Sequence, residues 1–242
     1  MDRLGYTAMT AASRTMTAMG VRANNLANVN TPGFRADMEQ SVEVSIQGAG
    51  YDSRHLVMAQ GNGVNLAPGA LMATGREMDF AIQGAGLIAV EGEGGEAYTR
   101  HGSLQVDAER RLTINGRPVL GEGGPIEVPE FDTIHIAADG RLSVLPRGEP
   151  LMVEVDRIKL VNLPAEELQK DSAGLLVSRT GEAAATDEDV TLVSGFLEAS
   201  NVNAIDQLVA SMSLSRLFET QVKMMKAAED LSKAGNNMIR GS

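Results

Sequence analysis

Residues of the types that do chemistry are scattered through this 242-residue chain and form no catalytic pattern. The three histidines, His55, His101 and His135, are far apart in sequence, and the chain has no cysteine. Neither a zinc site nor a thiolate nucleophile is therefore predicted. The glycine-rich runs at 84–86 and 92–95 do not open a helix after a strand, so we interpret them as hairpin turns rather than phosphate-binding loops.

Two groups of acidic residues are the remaining candidates for catalysis. Glu166-Glu167 and Asp187-Glu188-Asp189 could supply the carboxylate pair of a glycosidase, but they lie in polar stretches that are typical of solvated surface. The Gly-x-Ser-x-Gly pattern of a nucleophile elbow is absent. We therefore expect no enzymatic activity, no cofactor and no metal, and keep a wall-acting enzyme as a rival hypothesis.

The charge and hydropathy of the chain exclude further classes of partner. The formal net charge is −11, which argues against binding to nucleic acid or to an anionic membrane surface. No apolar run approaches the roughly 18 residues of a membrane span, so no membrane insertion is expected. Polar residues from Thr7 to Thr17 interrupt any apolar stretch near the N-terminus, which predicts that no cleaved signal peptide is present.

The N-terminal region has the periodicity of a long amphipathic helix. Its apolar residues recur at steps of three or four: Leu4, Ala8, Ala12, Met16, Met19, Ala23 and Leu26. This spacing predicts a helix of about 24 residues whose apolar seam packs against another helix. Packing of this helix on its own domain is the alternative.

The middle of the chain changes from extended connecting structure to many short strands. Residues 35–78 predict one or two strands, with turns at Ala67-Pro68-Gly69 and Thr74-Gly75. Between 79 and 195, tight turns such as Asn115-Gly116 and Asp139-Gly140 predict hairpins of an antiparallel sandwich or open barrel. Strands are predicted at 80–82, 87–90, 97–99, 104–106, 112–114, 118–120, 126–128, 134–137, 142–145, 157–163 and 175–178, with a brief helical turn at 165–169.

A second long helix is predicted from Asn203 to about Ala234. Asn203 is a suitable N-cap and Asp206 places an acid in the first turn, whereas Gly235-Asn236-Asn237 predicts the end of the helix. The helix has two apolar patches, one formed by Ile205, Leu208, Val209 and Met212, and the other by Leu214, Leu217, Phe218, Met224, Met225, Ala228 and Leu231. Apolar residues on two faces require more than one partner surface. The fold class is therefore α+β, with terminal helices that pair as a coiled-coil-like core around a mainly antiparallel β domain.

The junction after the first helix carries a resemblance to a known family. Residues 23–34, Ala-Asn-Asn-Leu-Ala-Asn-Val-Asn-Thr-Pro-Gly-Phe, combine asparagines that suit a helix end with a Thr-Pro-Gly stop. This run resembles the N-terminal signature of the flagellar rod and hook proteins. Two further regions are similar to that family in the same order: Thr74 to Ile88 with Tyr98 to Leu104, and Gly195 to Asn203 with Arg216 to Glu219.

Within the family, the length and the Thr-Pro-Gly-Phe-Arg-Ala ending at 31–36 resemble the proximal rod proteins more than the distal rod protein FlgG, whose usual ending is Thr-Asn-Gly-Phe. Residues 107–111 depart from the family, which commonly has a glycine turn there, so a longer or looser hairpin is expected. The resemblance implies a structural rod subunit that is exported uncleaved through the flagellar type III apparatus. It further implies assembly in the periplasmic space with other rod subunits, including proximal rod proteins and FlgG. The alternatives are the distal rod protein FlgG of the same family and a monomeric soluble binding module.

These inferences define four regions and one candidate interface. The regions are an N-terminal helix and junction (1–34), an extended connecting segment (35–78), a central β domain (79–195) and a C-terminal helix (196–242). The residues expected at the assembly interface lie on the two helices and beside them: Leu4, Ala8, Ala12, Met16, Met19, Asn24, Asn25, Leu26, Asn28, Pro32, Gly33, Phe34, Asn201, Val202, Asn203, Ile205, Leu208, Val209, Met212, Leu217, Phe218 and Met225.

Overall fold

A computed structural model describes residues 2–45 and 55–240, and the side chains within these ranges except those of 2–4, 40–62 and 238–240. The chain forms two compact units. The helix unit comprises Met1–Ala27, Glu39–Gly61 and Asn203–Ser242. The β unit comprises Asn28–Met38 and Asn62–Val202. The predicted α+β class, with helices at both ends and antiparallel strands between them, is confirmed.

Within the described ranges the elements follow one another as a helix, nineteen strands with one helical turn among them, and a second helix. In order they are α1 (Asp2–Ala27), β1 (Asp37–Ser45), β2 (His55–Val64), β3 (Leu71–Ala73), β4 (Phe80–Gln83), β5 (Leu87–Gly92), β6 (Gly95–Thr99), β7 (Gln105–Val106), β8 (Leu112–Ile114), β9 (Arg117–Pro118), β10 (Leu120–Gly121), β11 (Gly124–Pro125), β12 (Phe131–Ile136), β13 (Arg141–Pro146), β14 (Val153–Arg157), β15 (Leu160–Val161), the 3-10 turn Ala165–Glu167, β16 (Leu168–Lys170), β17 (Leu176–Ser178), β18 (Thr191–Ser194), β19 (Phe196–Glu198) and α2 (Ala204–Arg240).

The described strands pair into several small sheets rather than into one barrel or a two-sheet sandwich. The largest sheet has the order β15-β5-β6-β17-β16, and a three-stranded sheet has the order β12-β13-β14. Two pairings join distant parts of the chain: β18 pairs with β4, and β19 pairs with β3. Most strands are too short to extend a sheet further, because glycine turns interrupt them every few residues.

The buried core of the β unit packs against both faces of the five-stranded sheet β15-β5-β6-β17-β16. Along β5, Ile88 and Val90 belong to one buried apolar cluster, and Leu87 and Ala89 belong to another. Alternate residues of a strand point to opposite faces, so β5 is buried on both sides. Tyr98 on β6 is fully buried.

Two predicted hairpins are present with the expected turn chemistry. Asn115 and Gly116 both have positive φ, 52° and 77°, as a two-residue type I′ turn requires. The longer hairpin predicted at 107–111 is also present, since Val106 pairs with Leu112. Asp107 closes it by accepting hydrogen bonds from the Arg111 N–H (2.7 Å) and Nε (2.9 Å), so the hairpin is longer without being loose.

The predicted end of the second helix and one predicted strand differ from the structure. The predicted stop at Gly235 is wrong, because α2 continues to Arg240. Glycine costs about 1 kcal/mol inside a helix, and this cost is insufficient to end α2 there. The predicted strand at 126–128 is reduced to an isolated bridge between Glu127 and Arg111. The N-cap is as predicted, since Asn203 Oδ1 accepts a hydrogen bond from the Ile205 N–H at 3.0 Å.

Candidate assembly site

The two terminal helices pack against each other in the helix unit. Two side-chain hydrogen bonds fix their direction: Thr15 Oγ1 to Gln221 Oε1 at 3.0 Å, and Arg22 Nη1 to Gln207 Oε1 at 3.3 Å. As the residue number rises on α1 it falls on α2, so the helices are antiparallel. The predicted pairing of the terminal helices is confirmed.

The contact line between the helices is made of small and polar residues. Among the side chains that the structure describes, the buried residues of α1 are Ala8, Ala12, Thr15, Ala18, Val21 and Asn25, at steps of three or four. Those of α2 are Gln207, Gln221 and Ala228, separated by multiples of seven. This spacing is the 3.5-residue repeat of a coiled-coil seam. Alanine and glutamine bury little apolar area, so the seam gives the pair only modest stability.

Most of the large apolar residues of the helices are instead exposed. On α2, the stripe Ile205, Leu208, Val209 and Met212 is 71%, 49%, 58% and 59% exposed. We call these four residues the α2 stripe; their spacing of i, i+3, i+4 and i+7 places them on one face. A second line at seven-residue intervals consists of Leu217, Met224 and Leu231, and on α1 the exposed apolar residues include Tyr6, Met9 and Met16.

The predicted seam of α1 agrees with the structure for two of its members. Ala8 and Ala12 are buried against α2, whereas Met16 is 61% exposed and Met19 is half-buried. After Ala12 the next buried residue of α1 is Thr15, a polar residue that a pattern of apolar residues does not include. Ala23 is exposed, Leu26 is half-buried, and the side chain of Leu4 lies outside the described residues.

In the β unit, the segment that follows α1 packs closely against the backbone of Arg100 and His101. Gly33 has φ +71°, and a Cβ on it would lie 2.3 Å from the His101 nitrogen and 2.4 Å from the Arg100 carbonyl carbon. Its N–H donates to the Glu198 carbonyl oxygen at 2.7 Å. Only glycine fits this approach, which explains the Pro-Gly pair at the junction.

A buried carboxylate lies at the centre of this region. Glu198 on β19 is paired with Arg35 at 2.6 Å and with Arg100 at 3.0 Å, and all three side chains are at most 2% exposed. The Gly69 N–H also donates to Glu198 Oε1 at 2.6 Å. Burial lowers the pKa of the Arg100 guanidinium to about 10, and the charge of Glu198 opposes this shift. Removal of Glu198 would leave two buried cations without a counter-charge.

Two further side chains hold the same segment. The Ala36 N–H donates to Asn201 Oδ1 at 2.8 Å, and Asn201 Nδ2 donates to the carbonyl oxygens of Asn65 and Ala67 at 2.8 and 2.9 Å. Lys170 Nζ lies 2.7 Å from Asp37 Oδ1 and 3.9 Å from the centroid of the Phe34 ring. It also donates to the Arg35 carbonyl oxygen at 2.6 Å. Burial lowers the pKa of the Lys170 ammonium, and its hydrogen bond to Asp37 opposes this shift.

We call this set of residues the junction clamp: Gly33, Arg35, Asp37, Arg100, Lys170, Glu198 and Asn201. Sequence reasoning named Gly33 and Asn201 as interface residues but missed the ion pairs. A signal was present for three of the charged residues: Arg35 directly follows the first family-like run, and Arg100 and Glu198 lie within the second and third family-like regions. Lys170 lies outside those regions, and nothing in the sequence indicated it.

The remaining predicted interface residues differ in exposure. Val202 is buried and Asn25 is fully buried, whereas Asn24 and Asn203 are exposed. The half-buried members are Asn28, Pro32, Phe34, Asn201, Phe218 and Met225.

The candidates for chemistry come together nowhere in the described part of the chain. Among the described residues, no group of three or more His, Cys, Asp or Glu side chains is placed to hold a metal ion. His101 is half-buried near Asp79, and burial lowers the pKa of its imidazole while the Asp79 charge opposes the shift. No helix within the described ranges is long and apolar enough to cross a membrane.

Three family models match successive parts of the chain, and their ranges include Arg35, Arg100 and Glu198 of the junction clamp. Residues 6–35 match "Flagella basal body rod protein", residues 81–144 match "Flagellar hook protein FlgE/F/G D1 domain", and residues 193–238 match "Flagellar basal body rod FlgEFG protein C-terminal". The flagellar basal-body rod protein FlgF of Escherichia coli K12 is 41% identical over 99% of both chains. The chain belongs to the flagellar basal-body rod protein family.

Other relatives place this rod protein nearer to FlgF than to FlgG. FlgF of Salmonella typhimurium LT2 is 39% identical over 99% of both chains. FlgG of Buchnera aphidicola from Acyrthosiphon pisum is 30% identical over 88% of this chain and 90% of its own length. The rod protein is thus a structural subunit of the FlgF type, and the expected resemblance is confirmed.

Proposed function

We propose that this FlgF-type rod protein lies in the proximal rod and polymerises through its terminal helices into the shaft that transmits torque. The observation that carries the proposal is the set of apolar residues that α1 and α2 leave exposed after pairing with each other. Exposed large apolar residues at regular helical spacing are typical of a surface that another chain covers.

The helix pair has exposed apolar residues in more than one direction. The α2 stripe is one surface, and the line Leu217, Met224 and Leu231 is a second one further along the helix. Contacts that use two different surfaces of the same molecule are heterologous, and such contacts build open helical assemblies when they do not close into a ring. A tubular shaft is an assembly of this kind.

The proposed interface comprises those helical residues of the predicted set that remain exposed or half-buried after α1 has paired with α2, together with the asparagine-rich junction. The proposed neighbours are other proximal rod proteins and the distal rod protein FlgG. We place the assembled subunit in the periplasmic space, reached through the flagellar type III export apparatus. The relation of the sequence to FlgF along its whole length supports this placement.

Truncation tests the proposal, and the structure determines where the cuts belong. Residues 28–38 are part of the β unit, because Gly33, Arg35 and Asp37 are held by the junction clamp. A deletion of residues 1–34, at the boundary suggested by the sequence, would therefore damage the β unit. Cuts after Ala27 and after Val202 spare it.

The chain from 28 to 202 is expected to unfold cooperatively, as measured by circular dichroism during heating, but to be absent from purified basal bodies. A chain lacking only 203–242 is expected to give the same result, with its exported fraction measured separately. Incorporation of either truncated chain at the full-length level would refute the role of the helices. A binding module that acts as a monomer is indicated instead if the full-length chain protects both helices from hydrogen exchange and covers the α2 stripe.

A further inference from the structure

The junction clamp joins two chain segments that are distant in sequence but lead to the two helices. Residues 28–37 follow α1, and residues 198–202 precede α2. Inside the β unit these segments lie side by side: the Gly33 N–H donates to the Glu198 carbonyl oxygen at 2.7 Å, and the Asn201 N–H donates to the Phe34 carbonyl oxygen at 3.3 Å. The Arg35–Glu198 ion pair adds a buried side-chain contact between them.

Pairing of the helices depends on how closely their attached ends are held. The cross-helix hydrogen bond between Arg22 and Gln207 lies within a few residues of the end of α1 at Ala27 and the start of α2 at Ala204. With the clamp closed, about ten residues, 28–32 and 199–203, connect these ends to fixed points in the β unit. With the N-terminal half of the clamp open, the segment remains anchored through the pairing of β1 with β2 and through the hydrogen bond from the Asn65 N–H to the Ala36 carbonyl oxygen at 2.9 Å, next to the buried Val64. The connection then consists of residues 28–36 and 199–203, about fourteen residues.

The cost of closing a loop rises with its length, so the clamp changes the helix pairing equilibrium. For flexible connections, the effective concentration of one end at the other falls as length to the power of about three halves. Lengthening from about ten to about fourteen residues therefore lowers it about 1.7-fold. The seam of alanine, threonine and glutamine has little apolar burial with which to compensate.

We propose that Glu198 is a positioning residue for the helix pair. Through the junction clamp, Glu198 holds the segment after α1 beside the segment before α2. The two helices then behave like an αα-hairpin whose turn consists of these two separate segments. Glu198 is suited to this task because its carboxylate pairs both with Arg35, in the segment after α1, and with Arg100, directly after β6. The same carboxylate accepts a hydrogen bond from the Gly69 N–H. Lys170 supports the same segment independently through Asp37 and Phe34.

The absence of native cysteine allows a direct test in the full-length chain. Thr15→Cys and Gln221→Cys introduce thiols at the position where the two side chains are hydrogen-bonded across the seam. Equilibration with oxidised and reduced glutathione measures the effective concentration of one thiol at the other. Any strain in the disulfide is shared by all variants and cancels in their ratio.

Glu198→Gln in this background is expected to lower the effective concentration about 1.7-fold, and Lys170→Met is expected to lower it in the same direction. The matched control is Glu166→Gln, the same chemical change at an exposed glutamate of the β unit, which is expected to have no effect. Thermal melting followed by far-ultraviolet circular dichroism reports whether the β unit is intact. If Glu198→Gln unfolds the β unit, the effective concentration measured in the Lys170→Met chain decides the test.

A Glu198→Gln or Lys170→Met chain with a native β unit and an unchanged effective concentration would overturn the proposal. The measurement uses the isolated chain, so its outcome is independent of whether the helices also contact neighbouring subunits.

Discussion

Polar substitution in the α2 stripe should separate assembly from folding. Val209 and Met212 are 58% and 59% exposed, so the isolated chain gains little from them. Complete burial of such a side chain is worth about 1.5–3 kcal/mol, and the exposed part accounts for about 1–2 kcal/mol of that at each position. Val209→Asn with Met212→Gln should therefore weaken a contact that covers both by about 2–4 kcal/mol, or about 30- to 1000-fold.

The assay compares the amount of the double variant in purified basal bodies with the amount exported. The free energy of unfolding of the isolated chain should change by less than about 0.5 kcal/mol, because both positions are exposed. Glu219→Gln, an exposed polar position on the same helix, is the control and should incorporate normally. Normal incorporation of the double variant at normal export would show that the α2 stripe is not an assembly surface.

Two further substitutions test the β unit. Gly33→Ala should lower the free energy of unfolding by about 2–5 kcal/mol, as measured by denaturant titration. The positive φ costs about 1–2 kcal/mol, and the overlap of the Cβ with the backbone of Arg100 and His101 adds about 1–3 kcal/mol. The control is Gly75→Ala, which measures the cost of positive φ alone because Gly75 has φ +68° and open space around it. His101→Asn should reduce the loss of stability between pH 7 and pH 5, since the lowered pKa of the folded imidazole means that the unfolded chain binds the proton first as the pH falls. Identical pH profiles for the wild type and His101→Asn would contradict this assignment.

The sequence was sufficient to predict the helices and most of the short strands, because these features follow from local rules. The Asn115-Gly116 turn and the Asn203 cap depend on the backbone preferences of single residues, and both are present as predicted. The seam of α1 was predicted only in part. Thr15 is buried because Gln221 on the other helix supplies a hydrogen-bond partner, and no pattern within α1 contains that information.

The junction clamp could not be predicted from periodicity. Arg35, Arg100 and Glu198 are separated by 65 and 98 positions, and each has the ordinary appearance of a surface charge. The burial of these charges could be predicted only with the knowledge that β19 pairs with β3 and that Gly33 packs against the backbone of Arg100. The one sequence feature that indicated a shared structural role is the position of the three charges within or directly beside the three co-occurring family-like regions.

The most direct test of the account is the accessibility of the α2 stripe before and after assembly. The cysteine-free sequence allows a single thiol to be introduced as Val209→Cys, with Ser172→Cys on an exposed loop of the β unit as the reference. Maleimide labelling rates are measured in the isolated chain and in purified basal bodies, and each Val209→Cys rate is divided by the Ser172→Cys rate in the same sample. The account predicts that this ratio is near that of an exposed thiol in the isolated chain and falls by at least tenfold in the rod. An equal ratio in both states would contradict it.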